Sequence, residues 1–313
     1  MRQSAPVDTR RREVNRYGVN LRLLEYFVAV ARERHFARAA AACNVSQPTL
    51  SAGIAALEEQ LGRRLIQRDR RFTGLTDEGR AALPWAQQAI AMIEGLEHAA
   101  ELAHGPLTGT LRLGVIPAAM PVVGQFARAL AEDHAGLVLS VRSLTSREIE
   151  RGLAAFELDA GITYLDHEPP TSVLAAPLYA ERAMFLCHRD RLDDCAGIGW
   201  GTALSFPLCL LHEGMQNRRI LDDHLSRKGL AVRPSATADS YVALLAMVEA
   251  GPFATIVPDT YADIIPGGGW ARIVPFDDPL PPSRIGLIVL DRAPIGPLAS
   301  AALATARSLT VLP

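Results

Sequence analysis

Over the first hundred residues apolar positions recur with helical spacing, and beyond them the pattern shortens to strand-like runs. From Leu21, the residues Leu24, Phe27, Val28 and Ala31 share one face at i, i+3, i+4 and i+7, which predicts a first helix. A second is expected over about Ala37–Cys43, with Asn44 and Val45 as a turn. Ser46 then opens a third: its hydroxyl can accept from the Thr49 amide, and Pro48 in the first turn removes only a donor that would be orphaned. At about 100° per residue, Leu50, Ile54, Leu57 and Leu61 fall in one arc and face a core. The opposite arc holds Pro48, Thr49, Ser51, Ala52, Ala55 and Ala56, small and uncharged where a solvent-facing helix would carry Lys, Glu and Arg. Two short helices around a tight turn are what lays one helix in the DNA major groove.

Arg63, Arg64, Arg68, Arg70 and Arg71 follow, ending at Gly74, Leu75 and Thr76. The segment reads as a short wing with phosphate contacts. Thr76, Asp77 and Glu78 start a long helix by complementing its N-terminal dipole. It is expected to run to about His104. Its residues Ala82, Trp85, Ala89, Met92, Leu96, Ala99 and Ala103 alternate three and four apart, the spacing of a coiled-coil seam, which predicts dimerisation. Gly105, Pro106 and Gly109 break the helix. Beyond them strands alternate with helices, the signature of a mainly parallel sheet. Strands are expected at 110–116, 137–144, 160–164, 183–188, 208–211, 255–257 and 284–290, and helices near 122–134, 146–156, 216–228, 240–250 and 296–308.

Charge sharpens this division. The chain of 313 residues has a net charge of −2, yet residues 1–80 carry 15 arginines against 9 acidic residues. A basic N-terminal module on an acidic body implies that one end meets phosphate. Residues 1–19, with Arg2, Arg10, Arg11, Arg12 and Arg16, read as a basic flexible arm. No apolar run reaches the length of a membrane span and the basic N-terminus has no apolar segment behind it, so neither a membrane partner nor a secretory signal is expected. Cys43, Cys187, Cys195 and Cys209 lack zinc-site spacing and need not pair, which fits a reduced cytoplasm. The eight histidines have no metal spacing, and no nucleophile elbow, P-loop or dinucleotide fingerprint is present, so neither an enzyme, a metal nor another cofactor is expected.

Residues 21–31 (LRLLEYFVAVA), 36–42 (FARAAAA), 46–50 (SQPTL), Ile54, Leu57, Glu58, Leu61, Gly62 and 75–79 (LTDEG) closely resemble the DNA-binding half of LysR-type transcriptional regulators. Residues 111–114, 158–162, 214–221 and 251–258 resemble the sensing half more loosely. The resemblance implies an α+β multidomain chain. A winged helix-turn-helix would occupy 20–76 and a linker dimerisation helix 77–104. A two-lobed α/β regulatory domain like a periplasmic binding protein would occupy 107–313, with lobe I about 107–179 and 286–313 and lobe II about 180–285. It implies crossing strands near 180–185 and 282–287, a homodimer assembling to a homotetramer on double-stranded DNA, and contact with RNA polymerase. A small-molecule effector, polar or anionic, would sit between the lobes, against Ala118, Thr145, Ser146, Gln216, Asn217 and Thr255. Helix capping alone would also explain Thr145 and Ser146.

Many members of the family place long polar residues where this chain has Ala52, Gly53, Ala55 and Ala56. Direct hydrogen-bond readout therefore leans on Gln47, Thr49 and Ser51, with Ser46 and Pro48 as further DNA-binding residues, alanine methyls against thymine, and more discrimination from DNA shape and the arginine wing. Gly53 weakens the helix by about 1 kcal/mol relative to Ala, and close approach is a reason to keep it. Phe253, where a glycine is common, reads as core. Two other functions compete. A thiol-based redox sensor of the same family would use Cys187 and Cys195, but their flanks do not match that branch. A solute-binding protein for transport would lack residues 20–76 and need an export signal.

Overall fold

The computed structural model describes residues 19–68, 72–265 and 269–309. Residues 1–18 of the expected arm, and Arg70 and Arg71 of the expected wing, lie outside the described residues. The chain divides into two compact units, 1–94 and 95–313.

In the first unit, Asn20 caps α1 (Leu21–Glu33) by accepting from the Arg22 amide, and His35 does the same for α2 (Phe36–Ala42). Ser46 caps α3 (Gln47–Leu61) by accepting from the Thr49 amide, as the sequence predicts, and Gly62 ends it in the left-handed conformation. Strands β1 (Ile66–Arg68) and β2 (Phe72–Leu75) pair antiparallel, and α4 (Asp77–Leu102) follows. Phe27, Val30, Leu50, Ile54, Leu57, Leu65 and Ile66 form the core, closed by Ala86 near the start of α4. Gly53 is buried, and a Cβ there would stand 2.5 Å from the Tyr26 ring. The close approach that glycine permits is therefore between α3 and α1, inside the fold.

The second unit continues with β3 (Gly109–Val115), a 3-10 turn at Pro117–Val122, α5 (Val123–Asp133), β4 (Leu137–Ser143), α6 (Ser146–Ala154) and β5 (Ala160–Tyr164). Then come β6 (Val173–Glu181), β7 (Ala183–His188), α7 (Trp200–Ser205), β8 (Cys209–Leu211), α8 (Gln216–Arg227), β9 (Ala236–Ala238) and α9 (Tyr241–Ala250). Last are β10 (Ala254–Pro258), a 3-10 turn at Asp259–Asp263, β11 (Ala271–Pro275), β12 (Ser283–Leu290) and α10 (Pro297–Ser308). One lobe is a five-stranded sheet in the order β4-β3-β5-β12-β6. The other holds the sheet β10-β7-β11 and the pair β8-β9.

The chain leaves the first lobe at Glu181 and enters the second at Ala183, then returns through β12. Because β12 comes back against the outgoing direction, it pairs antiparallel with both β5 and β6, and β7 pairs antiparallel with β10 and β11. The expectation of a mainly parallel sheet holds for β3 with β4 and β5, for β8 with β9, and at the single parallel bridges of Leu208 with Ala254 and Ile198 with Phe276. Strand β6 also begins well before the expected crossing. Pro177 masks it in the sequence, and is accommodated because β6 is an edge strand with a register shift there.

Helix α6 reaches its place because Gly161 leaves room for it: a Cβ at 161 would stand 2.3 Å from the Ile149 side chain. That contact sets the start of α6 just beyond the carboxyl ends of β3 and β5, where ligands of α/β sheets bind.

Candidate functional site

On α3, Ser46, Gln47, Pro48 and Thr49 are exposed, Ser51 is half-buried, and Ala52 and Ala55 are exposed. The surface is small and uncharged, as the pattern predicted. The Ser46 hydroxyl is 2.8 Å from the Thr49 hydroxyl, so these two side chains already engage each other. Arg63 and Arg64 are exposed beyond the end of α3, and Arg68 closes β1. The wing is locked to α3 by Glu58, whose buried carboxylate accepts from the Leu65 amide at 2.9 Å and the Ile66 amide at 3.1 Å. Thr76 is engaged inside the fold: its hydroxyl donates to the Arg64 carbonyl at 2.7 Å and accepts from the Gly79 amide at 2.9 Å. It caps α4 and fixes the Arg64 backbone.

Along α4 the predicted seam is only partly covered. Trp85 is 73% exposed, Leu96 64% and Met92 49%, which leaves three large apolar side chains on one stripe. Ala82 and Ala89 are half-buried, Ala99 is exposed, and Ala103 lies one residue past the end of the helix.

Between the lobes of the second unit a cleft of about 230 Å3, open to solvent, is lined by Ala118, Thr145, Ser146, Gln216 and Asn217. It brings together five of the six residues carried over from the resemblance. Thr255 is not among its lining residues: it is buried in the middle of β10, beside Cys209. The sequence missed Ile116, Pro117, Tyr164, Leu211 and Met215, which complete the lining. Position at the carboxyl end of an expected strand was the available signal for Ile116, Pro117, Tyr164 and Leu211; Met215 carried none.

Two helix N-termini open on this cleft. Thr145 caps α6 in a capping box, accepting from the Glu148 amide at 3.3 Å, while Glu148 accepts from the Thr145 amide at 2.8 Å. Those bonds hold the Glu148 carboxyl below its usual range. The Ser146 hydroxyl is buried with no hydrogen-bond partner. Helix α8 has no side-chain cap, so its first amides face the cleft without one. The Gln216 side chain donates to the His167 carbonyl, and Asn217 donates to the Tyr164 hydroxyl at 2.9 Å. Glu168 of the first lobe receives Arg219 of α8 at 2.7 Å and Arg147 of α6 at 3.6 Å.

The Tyr164 hydroxyl in turn donates a hydrogen bond to the buried acid Glu181 at 3.0 Å. Burial, followed by the nearby Asp259 charge, pushes the Glu181 carboxyl up to about 8 against the pull of the Tyr164 and Asn217 hydrogen bonds. Cys187 and Cys209 are buried, and desolvation pushes each thiol up to about 11. No group of three or more potential ligands for a metal occurs among the described residues. No helix among them is long and apolar enough to cross a membrane.

The family model described as "Bacterial regulatory helix-turn-helix protein, lysR family" matches residues 21–80, and that of the "LysR substrate binding domain" matches 104–310. The chain therefore belongs to the LysR family of DNA-binding transcriptional regulators. It is 34% identical over 278 residues to a probable hydrogen peroxide-inducible genes activator of Mycobacterium avium, covering 85% of this chain and 86% of that one. It is 27% identical over 287 residues to the dual regulator OxyR of Escherichia coli K12, covering 88% and 91%. A full-length OxyR variant from Pseudomonas aeruginosa superimposes with a TM-score of 0.71 at 25% identity, over 94% of this chain and 99% of that one. The fold is shared as well with CbnR in complex with its target DNA, at a TM-score of 0.65 and 21% identity over 92% and 99%.

Proposed function

We propose that this regulator works in the cytoplasm as a homodimer joined through the α4 stripe, assembling to a homotetramer on double-stranded DNA and contacting RNA polymerase. Gln47, Thr49 and Ser51 read base edges, with Ser46, Pro48 and the alanines fitting the groove; Arg63, Arg64, Arg68, Arg70 and Arg71 hold phosphates. Thr76 contributes by fixing the wing. The effector is a small molecule with an anionic or strongly polar group, held between the lobes by Ala118, Thr145, Ser146, Gln216 and Asn217. One observation carries this reading: the N-termini of α6 and α8 converge on a cleft where the Ser146 hydroxyl is buried and unpartnered. Thr255, buried beside Cys209, lies outside this set.

A thermal-shift screen with small carboxylates is the direct test, because a ligand at 100 times its Kd stabilises by about 2.7 kcal/mol. Hits that lose their shift in Ser146→Ala support the assignment. Hits unaffected by that change, or no anionic hit, count against it. Thiol-based sensing is the second reading, favoured by relatives named as peroxide-inducible activators. Against it, no cysteine lines the cleft and both buried thiols are raised away from the reactive thiolate. Peroxide treatment followed by thiol counting separates the two: a reversible disulfide at low peroxide would restore the redox reading.

A further inference from the structure

We propose that a second pocket, where the two lobes are joined, binds a small primary ammonium ion through Glu181. Glu181 is the last residue of β6 and pairs in register with Ser283, the first residue of β12, so it stands where one crossing strand leaves the first lobe and the other returns to it. The pocket is a small indentation, about 370 Å3 when the open solvent at its entrance is included, and Glu181, Asn217 and Ser283 are its polar side chains. Ile220, Leu221 and Leu280 belong to an otherwise apolar lining. It is separate from the effector cleft, and Asn217 is the residue common to both linings.

The chemistry follows from what surrounds the carboxyl. One oxygen, Oε1, accepts from the Tyr164 hydroxyl at 3.0 Å and the Asn217 amide at 3.3 Å. The other, Oε2, is buried with no partner. The groups that act on it are Tyr164 from β5, Tyr179 from β6, Tyr241 from α9, Asn217 from α8, and Asp259 and Tyr261 from one 3-10 turn. None of these is cationic, and burial with the Asp259 charge leaves Glu181 largely protonated at neutral pH. A primary ammonium brings the charge the pocket lacks, and three N–H donors for the oxygens of Glu181, Asn217 and Ser283. A short alkyl tail would lie on Ile220 and Leu221. As the cation enters, the carboxyl proton leaves to solvent, so the pocket remains neutral. Below pH 8, affinity should therefore rise about tenfold per pH unit.

Thermal melts of the full chain in ethylammonium chloride, against tetramethylammonium chloride at equal concentration, test this because the second cation has no N–H. Ethylammonium should raise Tm above the control, with an apparent Kd about tenfold lower at pH 7.5 than at pH 6.5. Glu181→Gln should abolish the difference. Equal melts in the two salts, a difference that ignores pH, or one that survives Glu181→Gln would overturn the proposal. Should Glu181→Gln not fold, Ser283→Ala serves instead: it should weaken binding several-fold, and unchanged binding overturns the assignment. None of these readouts needs DNA or the cleft effector.

Discussion

Gly53 and Glu58 show how much a single position on the recognition helix carries. Replacing Gly53 by Ala would gain about 1 kcal/mol of helix propensity, but the new methyl would overlap the Tyr26 ring, and overpacking of that kind costs about 1–3 kcal/mol. The clash should win: Gly53→Ala is expected to lower the urea midpoint of the first unit, and a raised midpoint would mean the ring swings aside freely. Base readers and phosphate anchors should separate by their salt dependence. Gln47→Ala or Ser51→Ala should narrow the gap between specific and non-specific DNA by about 1–3 kcal/mol. Arg63→Ala or Arg64→Ala should weaken every sequence alike and reduce the salt slope by about one. Gel shifts across a salt series measure both effects, and the reverse pattern would exchange the two roles. Glu58 was legible only as part of a motif; that its carboxylate ties the wing to α3 is a fact of tertiary placement.

At the scale of elements, α4 is the one whose exposed face asks for a partner. Trp85, Met92 and Leu96 form an exposed apolar stripe, the kind of surface that marks an interaction site. Leu96→Glu should shift sedimentation towards a lighter species and weaken operator binding, while leaving the urea midpoint of the first unit nearly unchanged. A dimer that persists would move the interface elsewhere. Helices α6 and α9 of the regulatory unit carry caps, Thr145 and Ser240, that are legible in the sequence because capping is a local device. Strands were less so. β9 is three residues long and β6 carries Pro177, so pairing rather than propensity makes them strands. α7, with only six residues, is too short to show a helical period.

At the scale of the whole molecule, the link between lobes holds a group whose ionisation the fold opposes. Glu181 is raised from an ordinary 4.5 to about 8, so the folded chain binds a proton that the unfolded chain gives up. Its contribution is greatest below about pH 4.5 and is lost as pH rises through 8, with a ceiling of about 1.4 kcal/mol per pH unit. Denaturant melts of wild type and Glu181→Gln between pH 5 and 8.5 should diverge in that direction, the variant gaining relative stability with pH. Parallel curves would remove the buried acid from the account. The sequence by itself determined the helix-turn-helix, the cap at Ser46, the apolar seam and the division into a basic reader and an acidic body, because periodicity, capping and charge act over a few residues. Only the tertiary structure decided which residues share the cleft, that Gly53 serves the core, and that Tyr164, Glu181 and Asn217 meet at one point. Those facts join positions as distant as Ala118 and Asn217 in the cleft, or Tyr164 and Asn217 in one hydrogen bond, and no pattern along a chain records which distant side chains the crossing strands will bring together.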